Sequence, residues 1–360
     1  MASKNAFRKL ILNLHLWIGI ASAILLLLAG ASGALLVFEA QIDRALNPKL
    51  ARVTPTGTTL SLTELKAALE RQYPGSRVLA FDISDSDDTS YGAYLLPPSG
   101  SGMNLAVDQH TGKALGAWDD RRFTRQLRRF HTHLLAGEIG SAIVGWSAVI
   151  LLFLCISGLF LWWRSKIFGI NFQTSGPKFQ YDLHSTVGVL SFLVMIAFAL
   201  TGIVVHWERP AQKWASQLSH LPVRPAVPQP DAAAPGALPL DPSRLVALAE
   251  AAVPGARATA MDLPDSTARP VLVIMKFPED HTPAGRTRVF LDAYSGKVLA
   301  VISSRAAPAA VSYVTRLNRE IHTGDIGGWP TRIIAAVFSL ALPLLAVSGP
   351  LLWWQRRRRA

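Results

Sequence analysis

Four histidines stand near the ends of long apolar stretches, and their side chains could bind a metal. His15 and His184 are 169 residues apart and lie near the starts of the first and third stretches. His131 and His322 are 191 residues apart and come just before the second and fourth. A neutral imidazole is a common metal ligand and a good axial ligand for haem iron. Because an ionisable residue at membrane depth is a candidate for function, the four histidines are the first candidate site residues.

Two further histidines lie close to the same ends. His206 follows His184 by 22 residues, close to six helical turns, so both would lie on one helix face. His206 could therefore complete an outer site in place of another histidine. His133 is a second alternative, although the equivalent residue after a shift of 191 is Gly324. Any of these histidines could instead be an interfacial side chain. Three more are expected to be solvated in soluble loops: His110, His220 and His281.

Glycines recur at the depths of the histidines. Two are expected to be level with His15 and His184, and two with His131 and His322. They are Gly158 and Gly349 at the first depth, and Gly33 and Gly202 at the second. A flat macrocycle between helices needs positions where no Cβ protrudes, and glycine provides them. The same glycines are also typical of close helix packing in membranes.

Arginines precede His131 and His322 at repeated positions. They are Arg125, Arg128, Arg316 and Arg319. A guanidinium group binds carboxylates in bidentate fashion, so these residues could hold the propionates of a haem or attract an anionic iron chelate. Contact with lipid phosphates is the alternative.

Four apolar helices must position these residues. Residues 185–205 carry no charge and are long enough to cross a hydrocarbon core of about 30 Å. A shift of 169 relates the first apolar stretch to the third, and a shift of 191 relates the second to the fourth, so we predict a duplicated two-helix unit. The predicted spans are about 14–38, 140–163, 184–206 and 330–354.

Two soluble segments separate the helices, and they also repeat. Each begins with an amphipathic helix, at 60–73 and 240–253, followed by Pro-Gly and short runs typical of strands. Each continues to a turn of the form D-x-x-[ST]-G-K, at 108–113 and 292–297. We therefore predict two small α+β domains, the second preceded by a proline-rich linker at 221–240.

The charge pattern suggests an orientation. The formal charge is +12, and much of the excess lies beside the apolar spans, which is typical of membrane topology rather than of a nucleic-acid partner. The positive-inside rule places both termini and the 165–183 loop in the cytoplasm. The single cysteine, Cys155, excludes a disulfide framework or a thiolate cluster within the chain.

The predicted organisation follows from these spans. In order, it has a first span with its N-terminus, an outer domain, a second span, a cytoplasmic loop, a third span, a second outer domain and a fourth span with a basic end. The segments are 1–39, 40–130, 131–164, 165–183, 184–208, 209–321 and 322–360.

The motifs resemble a known family. D-x-x-[ST]-G-K turns in α+β modules, set between helices with LH…SG and SG…WW signatures, are similar to the PepSY-associated transmembrane helix family. The architecture looks like that of siderophore-iron reductases of the FoxB type. This resemblance implies a membrane α-helical protein of the bacterial inner membrane, with two periplasmic PepSY-like domains. It also implies haem and the reduction of ferric siderophores in the periplasm.

The expected mechanism combines the residues with this resemblance. Two b-type haems would each be held by two histidines, an inner pair of His15 and His184 and an outer pair of His131 and His322. No nucleotide motif is present, so the electron donor must be separate, either quinol or a cytoplasmic reductase. One alternative is a membrane-anchored PepSY protein that binds or regulates a peptidase. Another is a transporter-like protein that moves a metal ion or protons.

Overall fold

A computed structural model describes residues 2–220, 227–231, 236–266, 268–306 and 309–358. The chain forms two units. The helical unit contains Met1–Glu39, Phe123–Leu218 and Tyr313–Ala360, and the sheet unit contains Ala40–Arg122 and Ser219–Ser312. Of the predicted linker 221–240, residues 221–226 and 232–235 lie outside the described part of the chain.

The described part of the chain contains twelve α-helices and eight strands. They are α1 (Ala2–Leu36), α2 (Glu39–Leu46), α3 (Pro48–Ala51), α4 (Leu62–Gln72), β1 (Arg77–Asp82), β2 (Tyr91–Leu96), β3 (Met103–Val107), β4 (Ala114–Ala117), α5 (Phe123–His133), α6 (Gly137–Ser165), α7 (Pro177–His206), α8 (Glu208–Ser219), α9 (Pro242–Ala252), β5 (Arg257–Asp262), β6 (Val271–Lys276), β7 (Thr287–Leu291), β8 (Val298–Ile302), α10 (Ala309–Ser312), α11 (Asn318–Thr323) and α12 (Trp329–Arg357), with a π-helix at Tyr313–Leu317 and a 3₁₀ helix at Asp325–Gly327.

Four helices of the helical unit are long and apolar enough to cross a membrane. The candidate spans are Asn5–Leu36, Gly137–Ser165, Pro177–His206 and Trp329–Arg357. Each contains nearly all of a predicted span, but the helices run further. The third, for example, begins at Pro177, where a proline is tolerated because the first turn of a helix needs no backbone N–H partner.

Small residues allow the long helices to approach one another. α1 packs against α12 and α6, and α7 packs against the same two helices. A Cβ on Gly30 of α1 would lie 2.6 Å from Pro343 of α12, so these two helices touch at a point where only glycine fits. Leu26, Met195 and Leu342 form a buried apolar cluster in this unit.

The sheet unit contains one antiparallel sheet of eight strands, in the order β4-β3-β2-β1-β5-β6-β7-β8. The two predicted α+β modules are thus joined within one sheet, because β1 pairs with β5. Either strand would otherwise be an edge with unpaired backbone groups, which proteins commonly cover. Leu65 and Leu69 of α4 and Leu245 of α9 share the core of this sheet with Phe81 and Met261.

The sequence of the repeated turns is explained by the hydrogen bonds and the backbone φ angles that the turns need. In the second, the carboxylate of Asp292 accepts hydrogen bonds from the backbone N–H groups of Tyr294 and Ser295, at 2.9 and 2.8 Å. The turn then needs a positive φ, which Gly112 and Gly296 supply at 72° and 71°. The motif therefore stabilises a turn in the fold.

Three segments that were assigned to the soluble domains belong to the helical unit instead. Residues 123–130 form part of α5, residues 209–218 lie in α8, and residues 313–321 include the π-helix and most of α11. Their sequences are polar and charged, so hydropathy alone did not separate them from the soluble domains. This matters for function because α5 and α11 carry His131 and His322.

Candidate functional site

His15 and His184 meet across the helical unit. They extend from α1 and α7, their ring centroids are 6.4 Å apart, and the ring planes are nearly perpendicular at 87°. Two imidazoles that bind one metal ion from opposite sides have centroids about 6 Å apart, because each metal–nitrogen bond is about 2 Å long. The spacing therefore suits a metal between the two rings.

His131 and His322 form a second pair with the same spacing. Their ring centroids are 6.5 Å apart and their planes are inclined by 55°. They extend from the short helices α5 and α11. The ring of Phe198 packs edge-on against His322, with centroids 6.0 Å apart. The chain thus contains two histidine pairs of similar geometry.

Each of the four rings is held by a hydroxyl group on another helix. In every case the ring atom is Nδ1, and the separation from the hydroxyl oxygen is 2.8 or 2.9 Å. The contacts are His15 with Ser157, His131 with Ser32, His184 with Ser348, and His322 with Thr201.

For His15, His131 and His322, the hydroxyl group also determines which ring nitrogen carries the proton. Ser157, Ser32 and Thr201 each donate to the carbonyl four residues earlier, at 2.7, 2.6 and 2.6 Å. A hydroxyl has a single proton, so it must accept the hydrogen bond from Nδ1–H of the histidine. The remaining nitrogen, Nε2, then carries the lone pair and is available to a metal.

Glycine follows each hydroxyl residue and faces the same ring. A Cβ at these positions would lie near Cε1 of that histidine. The distances are 3.3 Å for Gly33 with His131, 3.3 Å for Gly158 with His15, 3.6 Å for Gly202 with His322 and 3.2 Å for Gly349 with His184. At Gly33, Gly158 and Gly349 the imidazole ring is the nearest group to such a Cβ, whereas at Gly202 the Cβ of Ala148 is nearer, at 3.3 Å. The glycines hold the rings close to the hydroxyl groups, a role that the sequence analysis had not assigned to them.

Comparison with known proteins identifies the family. The sequence model of a family described as the PepSY-associated TM region matches residues 12–356. The chain belongs to this family. The match confirms the resemblance to this family, and no curated protein matches the chain. With its four apolar helices, this PepSY-associated protein is a multi-pass membrane protein.

The two additional histidines of the PepSY-associated protein lie apart from the pairs. His206 packs against α6, where a Cβ on Gly145 would lie 2.2 Å from its ring, and its Nδ1 is 3.5 Å from the hydroxyl of Ser141. His133 is exposed, and its Nδ1 contacts the hydroxyl of Thr132 at 2.7 Å. The structure therefore brings together His131 and His322, and it does not bring either alternative to them.

The four arginines have differing surroundings. Arg128 forms an ion pair with Glu39, and Nη1 of Arg316 lies 3.9 Å from the carboxylate of buried Glu320. Arg125 and Arg319 are exposed. Two of the four thus already face carboxylates of the protein, which weakens their assignment as ligands of an anionic group.

Four positioning residues escaped the sequence analysis as functional residues. Each is followed by glycine, and the Ser-Gly dipeptides entered that analysis only as part of the family signatures. The signal that could have found them is their repetition at the depth of each histidine, four times in one chain. These residues are Ser32, Ser157, Thr201 and Ser348.

Proposed function

We propose that this protein carries electrons across a membrane through two b-type haems and reduces ferric siderophores on the outer side. The observation that supports it best is the pair of histidine sites, with ring centroids 6.4 and 6.5 Å apart and with Nδ1 of every ring in contact with a hydroxyl group. When bound, haem would supply a one-electron carrier at each end of the bundle.

The donor set favours haem over a bare metal ion. A structural or transported Zn²⁺ ion generally takes three or four protein ligands. Among the residues that the structure describes, no group of three or more His, Cys, Asp or Glu side chains is placed to hold a metal ion. Haem iron needs only two from the protein, because the macrocycle occupies the other positions. Two imidazoles at each site are therefore the appropriate number.

The separation of the sites suits transfer across a membrane. Seventeen residues separate His15 from Ser32 on α1, and seventeen separate His184 from Thr201 on α7. At helix rise, this places the two sites about 25 Å apart, most of the thickness of the hydrocarbon core. The residues of α1 and α7 thus hold one site near each membrane surface.

The proposed function also requires an orientation of the protein in the membrane and a ferric siderophore as substrate. Basic residues beside the spans favour a cytoplasmic location for the termini and for the pair His15–His184, with the sheet unit in the periplasm of a bacterial inner membrane. Siderophores bind Fe(III) through hard oxygen ligands, which hold Fe(II) less strongly, so reduction loosens the complex. Electrons would enter at the inner pair from quinol or from a cytoplasmic reductase.

The test is the haem content of purified variants, with a matched pair on α7. His184→Ala should lose one of two haems and His206→Ala should keep both, because only His184 belongs to a pair. His322→Ala should lose the other haem. The assay is haem stoichiometry with spectra of the dithionite-reduced protein. A colourless preparation of correctly folded wild type would refute the proposal and favour a tethered PepSY binding protein.

A further inference from the structure

A groove between α1 and α6 is lined by aromatic and basic side chains. Its volume is about 890 Å³. It lies at the end of the bundle that holds His15 and His184, and it opens on the surface of the bundle, where most of its side chains are exposed. Its lining residues are Phe7, Arg8, Ile156, Leu159, Phe160, Trp163 and Arg164.

The two arginines of the groove are at one depth. Arg8 is seven residues before His15 on α1, and Arg164 is seven residues after Ser157 on α6. Because His15 and Ser157 are hydrogen bonded, both arginines lie about 10 Å further along the bundle, towards its end. The buried Nε of Arg8 has no hydrogen-bond partner among the described residues. Two guanidinium groups at one level, one of them incompletely bonded, suit an anionic group.

The corresponding groove in the second repeat lacks these features. Seven residues before His184 stands Pro177, and seven residues after Ser348 stands Gln355. The residues equivalent to Phe7 and Phe160 are Gly176 and Leu351. The basic groove is thus an addition to one repeat and not part of the duplicated scaffold that holds the histidines.

We infer that this groove binds an anionic phospholipid, with its phosphate between Arg8 and Arg164 and its acyl chains against the apolar side chains. The rings of Phe7 and Phe160 are in edge contact, with centroids 5.9 Å apart, and with Trp163 they form a wall suited to chains. Guanidinium groups bind phosphate in bidentate fashion, and basic pockets between helices near the cytoplasmic side are typical lipid sites. A neutral quinol fits the apolar wall but does not explain two cations. This inference goes beyond the proposed function and does not depend on haem.

The experiment compares lipid binding by wild type and an Arg8→Gln/Arg164→Gln variant. Both are reconstituted in phosphatidylcholine bilayers with and without phosphatidylglycerol, and retained lipid is counted by native mass spectrometry. Wild type should retain one phosphatidylglycerol and melt at a higher temperature in its presence. The double variant should bind about a hundredfold more weakly, at about tenfold for each lost charge-assisted hydrogen bond. Arg358→Gln is the matched control, because that arginine stacks on Trp354 at the same end.

Three results would overturn the inference. One is equal retention of phosphatidylglycerol by wild type and the double variant, with both giving the same helical circular dichroism. Another is an equal loss in Arg358→Gln, which would indicate a general charge effect. The third is binding of decylubiquinone in the groove without binding of phosphatidylglycerol. Haem content is recorded in parallel, so a failure of the lipid site is distinguishable from a failure of the proposed electron transfer.

Discussion

Replacing Ser157 by alanine tests whether a hydroxyl group prepares the histidine for its ligand. The change removes the acceptor for Nδ1 of His15, which is 2.8 Å away. An N–H group left without a partner in a buried site costs about 1–3 kcal/mol, and the ring loses its preference for a lone pair on Nε2. Loss of a similar contact behind a metal-bound histidine typically weakens metal binding about 10–100-fold. We expect Ser157→Ala to weaken haem binding at the inner pair within that range.

The assay is titration of haem into haem-depleted protein, with the outer site removed by His322→Ala so that only one site is measured. Ser147→Ala is the control, because Ser147 is also buried on α6 but its hydroxyl donates only to the carbonyl of Val144 in the described contacts. Ser157→Thr should restore binding, as threonine already serves at the equivalent contact of Thr201 with His322. Unchanged haem affinity in Ser157→Ala would show that the hydroxyl does not position His15.

Three further predictions concern the fold. Gly30→Ala should destabilise the bundle, because the new Cβ would lie 2.6 Å from Pro343. Gly19→Ala is the control and should be tolerated, because the nearest neighbour of its Cβ would be 3.8 Å away. Thermal unfolding in detergent distinguishes the two variants. Phe81→Ala, at 1% exposed in the core of the sheet unit, should cost about 3–5 kcal/mol, measurable by denaturant unfolding. The ring nitrogens of His110 both contact backbone carbonyls, which raises the pKa of this histidine above its usual 6.5 because the carbonyls accept from the charged ring. That contribution to stability is complete below pH 6.5 and is lost as the pH rises through the raised pKa. His110→Tyr should therefore reduce the change in melting temperature between acidic and alkaline buffer.

The histidine pairs could be predicted because repetition restricts depth. Shifts of 169 and 191 place His15 level with His184 and His131 level with His322, and residues at equal depth in one narrow bundle lie close together. The hydroxyl contacts could not be predicted in the same way. They depend on the rotation of each helix about its axis, which the nearly continuous apolar sequence of a membrane span does not determine.

The pairing of β1 with β5 could not be predicted from the sequence either. Each module contains four strands with ordinary patterns, and nothing in either indicates that its first strand will join the other module.

The hydrogen bonds of His110 could not be predicted from the sequence either. This histidine was expected to be solvated because it lies in a polar turn, and it is partly exposed. Its two nitrogens nevertheless bond the carbonyls of Thr58 and Asp87, which are distant in sequence.

The inner and outer pairs differ in how firmly the chain holds them. If each pair holds a haem, as we propose, this difference predicts which haem is lost first. His15 and His184 belong to the long helices α1 and α7. The outer histidines belong to short helices, one of them directly after a π-helix, a local irregularity of helix structure. α5 is joined to α6 through Leu134 and Leu135, both at positive φ (49° and 57°), where a residue with a Cβ is strained.

The outer haem should therefore be released at a lower temperature than the inner one. Two variants with one haem each allow the comparison: His184→Ala retains the outer site, and His322→Ala retains the inner site. Heating each while following the Soret band should show earlier loss in His184→Ala. Leu135→Gly should relieve about 1 kcal/mol of strain and raise the release temperature of the outer haem alone. If the inner haem were released first, or if Leu135→Gly affected both sites equally, the short helices and the strained connection would not be what limits retention.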